Sequence, residues 1–105
     1  MMIEDFIPEG HENAISRREL ARLLNVDDRT LRDMIEDARA RGTAILNMQD
    51  GKGYFIPIKG KEERLADIWK KQQCSRVIKI LKGLNGVNNF LSVPPGQIDI
   101  TDVPR

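Results

Sequence analysis

The sequence predicts a mostly α fold with one small β-hairpin. Three patterns indicate it: two amphipathic helical stretches at residues 16–24 and 28–41, an Asp-Gly pair between short apolar runs within residues 44–57, and a long helical pattern over residues 61–82. The chain has 105 residues, of which 40% are hydrophobic and 31% charged, so we expect a globular protein with a single core.

The first motif helix is predicted to begin at Ser16. Ser16 and Glu19 form the S-x-x-E pattern of a capping box, in which the hydroxyl and the carboxylate each accept a hydrogen bond from a free backbone amide. Asn25 tolerates the left-handed backbone conformation and is expected to end the helix. The spacing of apolar residues predicts a core face made of Leu20, Ala21, Leu23 and Leu24.

The second motif helix follows after three or four residues. Val26 is expected to contact the core, and either Asp27 or Asp28 to cap the helix. Gly42 comes after a basic last turn and is expected to end the helix. The predicted core-facing stripe is Leu31, Met34, Ile35 and Ala38.

A β-hairpin is predicted from two strand-like runs, residues 44–48 and 54–57. The Asp50-Gly51 pair between them is a strong hairpin signal, because tight hairpin turns need positive φ angles. Tyr54 and Phe55 are expected to pack in the hairpin core rather than to stack on bases.

The long helix is predicted to end at Gly83. Its apolar residues cluster on two faces rotated by about a third of a turn, so one partner surface cannot cover both. We expect the first half to pack on the chain's own domain and the second half to pair with a second copy in a homodimer. The alternative is a bend near Cys74 that folds the second half onto residues 2–7. The first face holds Leu65, Ile68 and Trp69, and the second holds Val77, Ile80, Leu81 and Leu84.

The order helix, tight turn, helix and hairpin is that of a winged helix-turn-helix. Residues 13–57 resemble the N-terminal winged helix of bacterial biotin ligase repressors, most closely in the wing Gly51-Lys52-Gly53-Tyr54, which ends in Pro57. The segment Ile7-Pro8-Glu9-Gly10, together with the long helix after the wing, resembles small winged-helix proteins encoded by prophages of Gram-positive bacteria. The first helix is shorter than in the repressor family and no ligase domain follows in the sequence, so biotin chemistry is not expected.

The predicted organisation has three parts. Residues 1–60 form a winged helix-turn-helix domain, residues 61–84 form a C-terminal helix that is a candidate for dimerisation, and residues 85–105 form a flexible tail. Gln97-Ile98-Asp99-Ile100 in the tail resembles the glutamine-led peptides that bind bacterial replication clamps, although the final aromatic residue is missing. The tail is therefore either a contact for a replication or transcription protein or a solvated linker.

The resemblance implies double-stranded DNA binding, in transcription regulation or in phage DNA metabolism, with residues 28–41 as the recognition helix in the major groove. Arginine reads guanine through two parallel hydrogen bonds, so Arg29 and Arg32 are candidates for base contacts. The basic start of the first helix and the lysine of the wing suit phosphate. The predicted DNA-binding residues are Ser16, Arg17, Arg18, Asp28, Arg29, Thr30, Arg32, Asp33 and Lys52.

The charge distribution leaves a second function open. The chain has 17 Lys and Arg against 16 Asp and Glu, a net charge of +1, and residues 1–60 alone have 9 basic and 11 acidic residues. Sequence-independent affinity for DNA comes mainly from basic residues, so DNA binding must rely on a few placed side chains. The alternative is a winged-helix protein–protein interaction module without direct DNA readout.

Other patterns predict a cytoplasmic protein that is not an enzyme. One His and one Cys give no metal-ligating set, and neither a phosphate-binding glycine loop nor a nucleophile elbow occurs, so no cofactor or metal is expected. Cys74 has no disulfide partner and is expected to pack as a small hydrophobe, while His11 is expected to be an ordinary surface side chain. An acidic N-terminus and short apolar runs predict neither a signal peptide nor a membrane span.

Overall fold

The computed structural model describes residues 2–92 of the chain. They fall into two compact units, with the boundary between Lys71 and Gln72 inside the last helix, and we call these the N-terminal unit and the C-terminal unit. The described residues are mostly helical with one small two-stranded antiparallel sheet, which confirms the predicted mostly α class with a small β element. The elements are α1 (Arg17–Leu24), α2 (Asp28–Ala40), β1 (Leu46–Asn47), β2 (Tyr54–Phe55) and α3 (Glu63–Phe90), preceded by 3-10 turns at Ile3–Phe6 and His11–Asn13.

α1 begins and ends where the sequence predicts. The Oγ atom of Ser16 accepts a hydrogen bond from the Glu19 amide at 3.1 Å. Half of the predicted capping box is absent, because the Glu19 carboxylate binds Arg22 at 2.7 Å instead of reaching back to the cap. Asn25 ends the helix in the left-handed conformation, with φ 53°.

The predicted core face of α1 is wrong at Leu23. Leu20 is fully buried, whereas Leu23 is 56% exposed. At about 100° per residue, Ala21 and Leu24 lie to one side of Leu20 and Leu23 lies to the other. Ala21 and Leu24 pack against the core, so the short helix turns its Leu23 side to solvent.

α2 is capped by Asp27, which decides between the two predicted caps. Its Oδ1 atom accepts a hydrogen bond from the Thr30 amide at 2.7 Å. Gly42, with φ 106°, follows the end of the helix as predicted. The predicted stripe is confirmed: Leu31, Ile35 and Ala38 are buried and Met34 is partly buried against them.

The hairpin pairs Leu46 with Phe55 and Asn47 with Tyr54. The other edge of β2 is covered by the chain ahead of α1. Ile15 and Tyr54 exchange two backbone hydrogen bonds, of 2.9 and 2.8 Å. β2 is therefore paired on both edges, and Tyr54 and Phe55 are both buried, which confirms their predicted place in the hairpin core.

One apolar core holds the N-terminal unit together. Ile3 and Ile7 are part of it and Phe6 packs against it, whereas Met2 is 48% exposed. Arg41, just after α2, fixes the same segment from outside through a salt bridge to Glu4 at 3.2 Å. The buried cluster comprises Ile3, Ile7, Leu20, Leu31, Ile35, Ala38, Ile45 and Tyr54.

The start of α3 is joined to the hairpin and to α2 through Trp69. The indole Nε1 donates a hydrogen bond to Asn47 Oδ1 at 3.0 Å. The Arg39 guanidinium lies 4.7 Å from the centre of the indole ring, and its Nε donates to the Ile45 carbonyl at 2.9 Å. Residues 63–71 of α3 are therefore part of the N-terminal unit, which agrees with the predicted packing of the start of this helix, although Trp69 is partly exposed rather than a buried anchor.

α3 is longer than predicted. It continues to Phe90, so the prediction that Gly83 ends it is wrong. Glycine permits a left-handed stop but does not require one, and Gly83 keeps a helical backbone. The first residues of the predicted tail are therefore helical, and residues 93–105, with the Gln97 motif, lie outside the described residues.

Cys74 is exposed, so its predicted packed position is also wrong.

Gly53 allows β2 to approach the chain ahead of α1. Its φ is 109°, and an added Cβ would overlap the backbone carbonyl of Ile15. We therefore expect Gly53→Ala to lower the free energy of unfolding by roughly 3 kcal/mol, because alanine is strained at this φ and its Cβ would push β2 away from Ile15. Gly51→Ala is the matched control, since Gly51 has φ 77° but nothing within 4 Å of an added Cβ.

Urea unfolding of both variants measures the difference. Gly51→Ala should cost only the strain, on the order of 1 kcal/mol. Equal losses for the two variants would contradict the close approach of Gly53 to Ile15.

Candidate functional site

The start of α1, the start of α2 and the hairpin loop (residues 48–53) border one open cleft of about 560 Å³ in the N-terminal unit. Arg17 and Arg18 contribute the α1 side, and Asp28 contributes the α2 side. Gly51 and Gly53 contribute the loop side, with Lys52 between them. The structure thus brings together residues that the sequence placed in three separate segments.

The first turns of α1 and α2 both line this cleft. The first backbone amides of a helix have no acceptor within the helix and carry partial positive charge, which favours anions. In α1 the Ser16 hydroxyl satisfies only one of these amides. In α2, hydrogen bonds from Thr30 to the Asp27 cap lower the pKa of its carboxyl.

Asp28 is the central charge of the site. Its Oδ1 atom lies 2.7 Å from Arg17 Nε and its Oδ2 atom lies 3.3 Å from Arg32 Nε. All three side chains are about half exposed. One carboxylate therefore links α1 to α2 and partly neutralises two of the predicted DNA-binding arginines.

The two arginines of the α2 outer face differ for this reason. Arg32 is bound to Asp28, whereas Arg29 has no ion-pair partner among residues 2–92. Arg18 and Lys52 likewise lack an ion pair in the described part of the chain. The sequence predicted the same base-contacting role for Arg29 and Arg32, and the structure shows that they differ in ion pairing.

The outer face of α2 also carries unpaired acids. Asp33 and Glu36 are exposed and form no ion pair within residues 2–92, whereas Asp37 binds Arg41 at 3.1 Å. The outward positions predicted from helical phase are confirmed as exposed: Arg29, Thr30, Arg32, Asp33 and Glu36. This face therefore presents both signs of charge.

The hairpin loop is held by Asp50. Its Oδ1 atom accepts a hydrogen bond from the Lys52 amide at 3.0 Å, and its Oδ2 atom lies 2.6 Å from His11 Nε2. These contacts, chiefly the one from the Lys52 amide, lower the pKa of Asp50. The loop is thus fixed from within and from the segment ahead of α1, which holds the backbone of Lys52 between two glycines that line the cleft.

His11 is the residue that the sequence analysis misjudged most. Its imidazole is partly buried, with its centre 5.0 Å from that of the Phe55 ring. Its backbone amide donates a hydrogen bond to the Glu62 carboxylate at 3.0 Å. The same carboxylate accepts a hydrogen bond from the Ile58 amide at 2.9 Å. These hydrogen bonds lower the pKa of Glu62. No local pattern predicts such contacts, because 39 residues separate His11 from Asp50.

No group of three His, Cys, Asp or Glu side chains within residues 2–92 is placed to hold a metal ion. Over the same residues, no helix combines the length and the apolar character needed to cross a membrane.

Comparison with known proteins gives no match. No family model matches the chain, and no curated protein and no solved structure matches it either. The resemblance to biotin ligase repressors therefore stays a sequence prediction, and the function has to be argued from the residues of this chain.

Proposed function

We propose that this chain is a cytoplasmic, sequence-specific double-stranded DNA-binding protein that acts in transcription regulation or in phage DNA metabolism. In this proposal α1 and α2 are the two helices of a winged helix-turn-helix, and the hairpin is its wing. The observation that carries it is the single cleft bordered by Arg17, Arg18, the start of α2 and the hairpin loop.

The dimensions of α2 suit a recognition helix. Its 13 residues span about 20 Å, and the major groove of B-DNA admits one α-helix. The first exposed turn carries Arg29 and Thr30, and recognition helices contact base edges chiefly through their N-terminal residues. Arg29 is therefore the best candidate for a bidentate contact to guanine.

Phosphate contacts fit the two sides of the cleft. Arg17 and Arg18 at the start of α1 lie on one side and Lys52 lies in the loop on the other. Such contacts position a protein on the duplex, whereas base contacts supply specificity. A chain with a net charge of only +1 needs this division, because it lacks the excess of cations that gives strong non-specific binding.

A winged-helix protein–protein interaction module is the second candidate. Asp33 and Glu36 on the outer face of α2 favour it, because their unpaired carboxylates would repel phosphate. A basic surface on a partner protein would instead neutralise them. Selection from a pool of random duplexes separates the candidates, since a protein-interaction module should enrich no consensus sequence.

Replacing the α2 arginines one at a time tests the readout. With the selected duplex, Arg29→Ala should weaken binding by about 1–3 kcal/mol, the usual range for a lost bidentate base contact. Arg32→Ala should lose less, because Arg32 must first leave Asp28 to reach a base. Circular dichroism should show both variants folded, since both side chains are exposed. Unchanged affinity of Arg29→Ala would show that α2 does not read bases through Arg29.

Asp28 is among the DNA-binding residues that the sequence predicts, but its carboxylate binds two arginines and competes with phosphate, so removing its charge should strengthen DNA binding. Asp28→Asn frees Arg17 and Arg32 from a shared carboxylate and removes one repulsive charge from the cleft. We expect higher affinity for all duplexes and a salt dependence steeper by about one unit of slope. Asp33→Asn is the matched control on the same helix, because Asp33 binds no arginine in the described residues. Weaker binding by Asp28→Asn, with unchanged thermal stability, would contradict the proposed role of Arg17 and Arg32.

A further inference from the structure

The C-terminal unit concentrates the exposed apolar side chains of the chain. Seven of the nine large hydrophobic residues that are exposed in the described part of the chain lie between residues 77 and 91. α3 has no fully buried residue. Contiguous exposed apolar surface of this kind usually marks an interaction surface.

Four of these seven residues, together with the half-buried Leu84, have the spacing of a coiled-coil seam. Val77, Ile80, Leu84 and Val87 follow one another at steps of three, four and three residues, and Leu91 comes four residues later, directly after the helix. Apolar residues that alternate at three and four residues produce one stripe along a helix, which packs against the same stripe on another helix. We call these five residues the α3 seam.

The charges of this segment are compatible with pairing between copies. Residues 72–92 contain no acidic residue and three basic ones, Arg76, Lys79 and Lys82. With Val77 and Leu84 at heptad position a, Lys79 and Lys82 occupy positions c and f, on the side of the helix away from the seam, and Arg76 occupies position g at the edge of the seam. Two copies can therefore meet at the seam while these lysines remain in solvent.

The composition of the same segment also argues for a covering partner. Five of the seven residues from Gly83 to Asn89 are glycine or asparagine, which are poor helix formers. Helices with low intrinsic propensity are stabilised mainly by packing of an apolar face. A second copy would supply that packing, whereas Ile3 and Ile7 of the N-terminal segment are already buried in the core of the N-terminal unit.

We propose that the α3 seam pairs with the seam of a second copy of this chain in a short coiled coil. The proposal rests on α3 alone and does not depend on DNA binding by the N-terminal unit. If that unit does bind DNA, pairing would present two recognition helices to a two-fold symmetric site.

Sedimentation equilibrium of the full chain, from low to high micromolar concentration, tests the proposal. The parent should reach at least twice its monomer mass of 12.0 kDa, and its helical content by circular dichroism should rise with concentration. Ile80→Asp should raise the dissociation constant by roughly tenfold or more, because it places a carboxylate in an apolar seam.

Ile78→Asp is the matched control. Ile78 and Ile80 are 52% and 65% exposed, but Ile78 lies off the seam. It should leave the mass distribution nearly unchanged, and thermal unfolding of the N-terminal unit should be the same in all three proteins. A monomeric parent at high micromolar concentration would overturn the proposal. It would mean that residues 93–105 or another protein, rather than a second copy, covers the seam. Equal effects of the two variants, or no effect of Ile80→Asp, would also overturn it.

Discussion

The two backbone hydrogen bonds between Ile15 and Tyr54 are the constraint on which the rest of the N-terminal unit depends. They join β2 to the residue directly before the Ser16 cap, so the hairpin loop and the start of α1 must lie side by side. Gly53 makes this approach possible, because any side chain there would overlap the Ile15 carbonyl. The candidate site follows from this pairing, since without it Lys52 and Arg17 would belong to unrelated surfaces.

Electrostatic balance, rather than excess charge, characterises this site. Asp28 bridges Arg17 and Arg32 across two helices, while Arg18, Arg29 and Lys52 have no ion pair in the described residues. Exposed ion pairs of this kind contribute little to stability, so a competing anion can replace the carboxylate at small cost. Under the proposed function, Asp28 would hold Arg17 and Arg32 in place until a phosphate group displaces its carboxylate.

The sequence predicted the features that depend on local periodicity. The Ser16 cap, the Asn25 stop, the α2 stripe from Leu31 to Ala38 and the Asp50-Gly51 hairpin all appear in the structure. Contacts between distant segments could not be predicted, because the His11–Asp50 pair and the Arg39–Trp69 stack have no signature along the chain. Leu23 and Gly83 were misjudged for a related reason, since spacing alone shows neither which side of a short helix is covered nor whether a glycine ends it.

The central claim is that α1, α2 and the hairpin loop present one DNA-binding face. NMR titration of the isotope-labelled chain with a duplex selected from a random pool tests it most directly. The account predicts that the largest amide shifts fall at the start of α1, on the exposed side of α2 and in residues 48–53. Shifts confined to the C-terminal unit, or the absence of shifts at low salt, would contradict it.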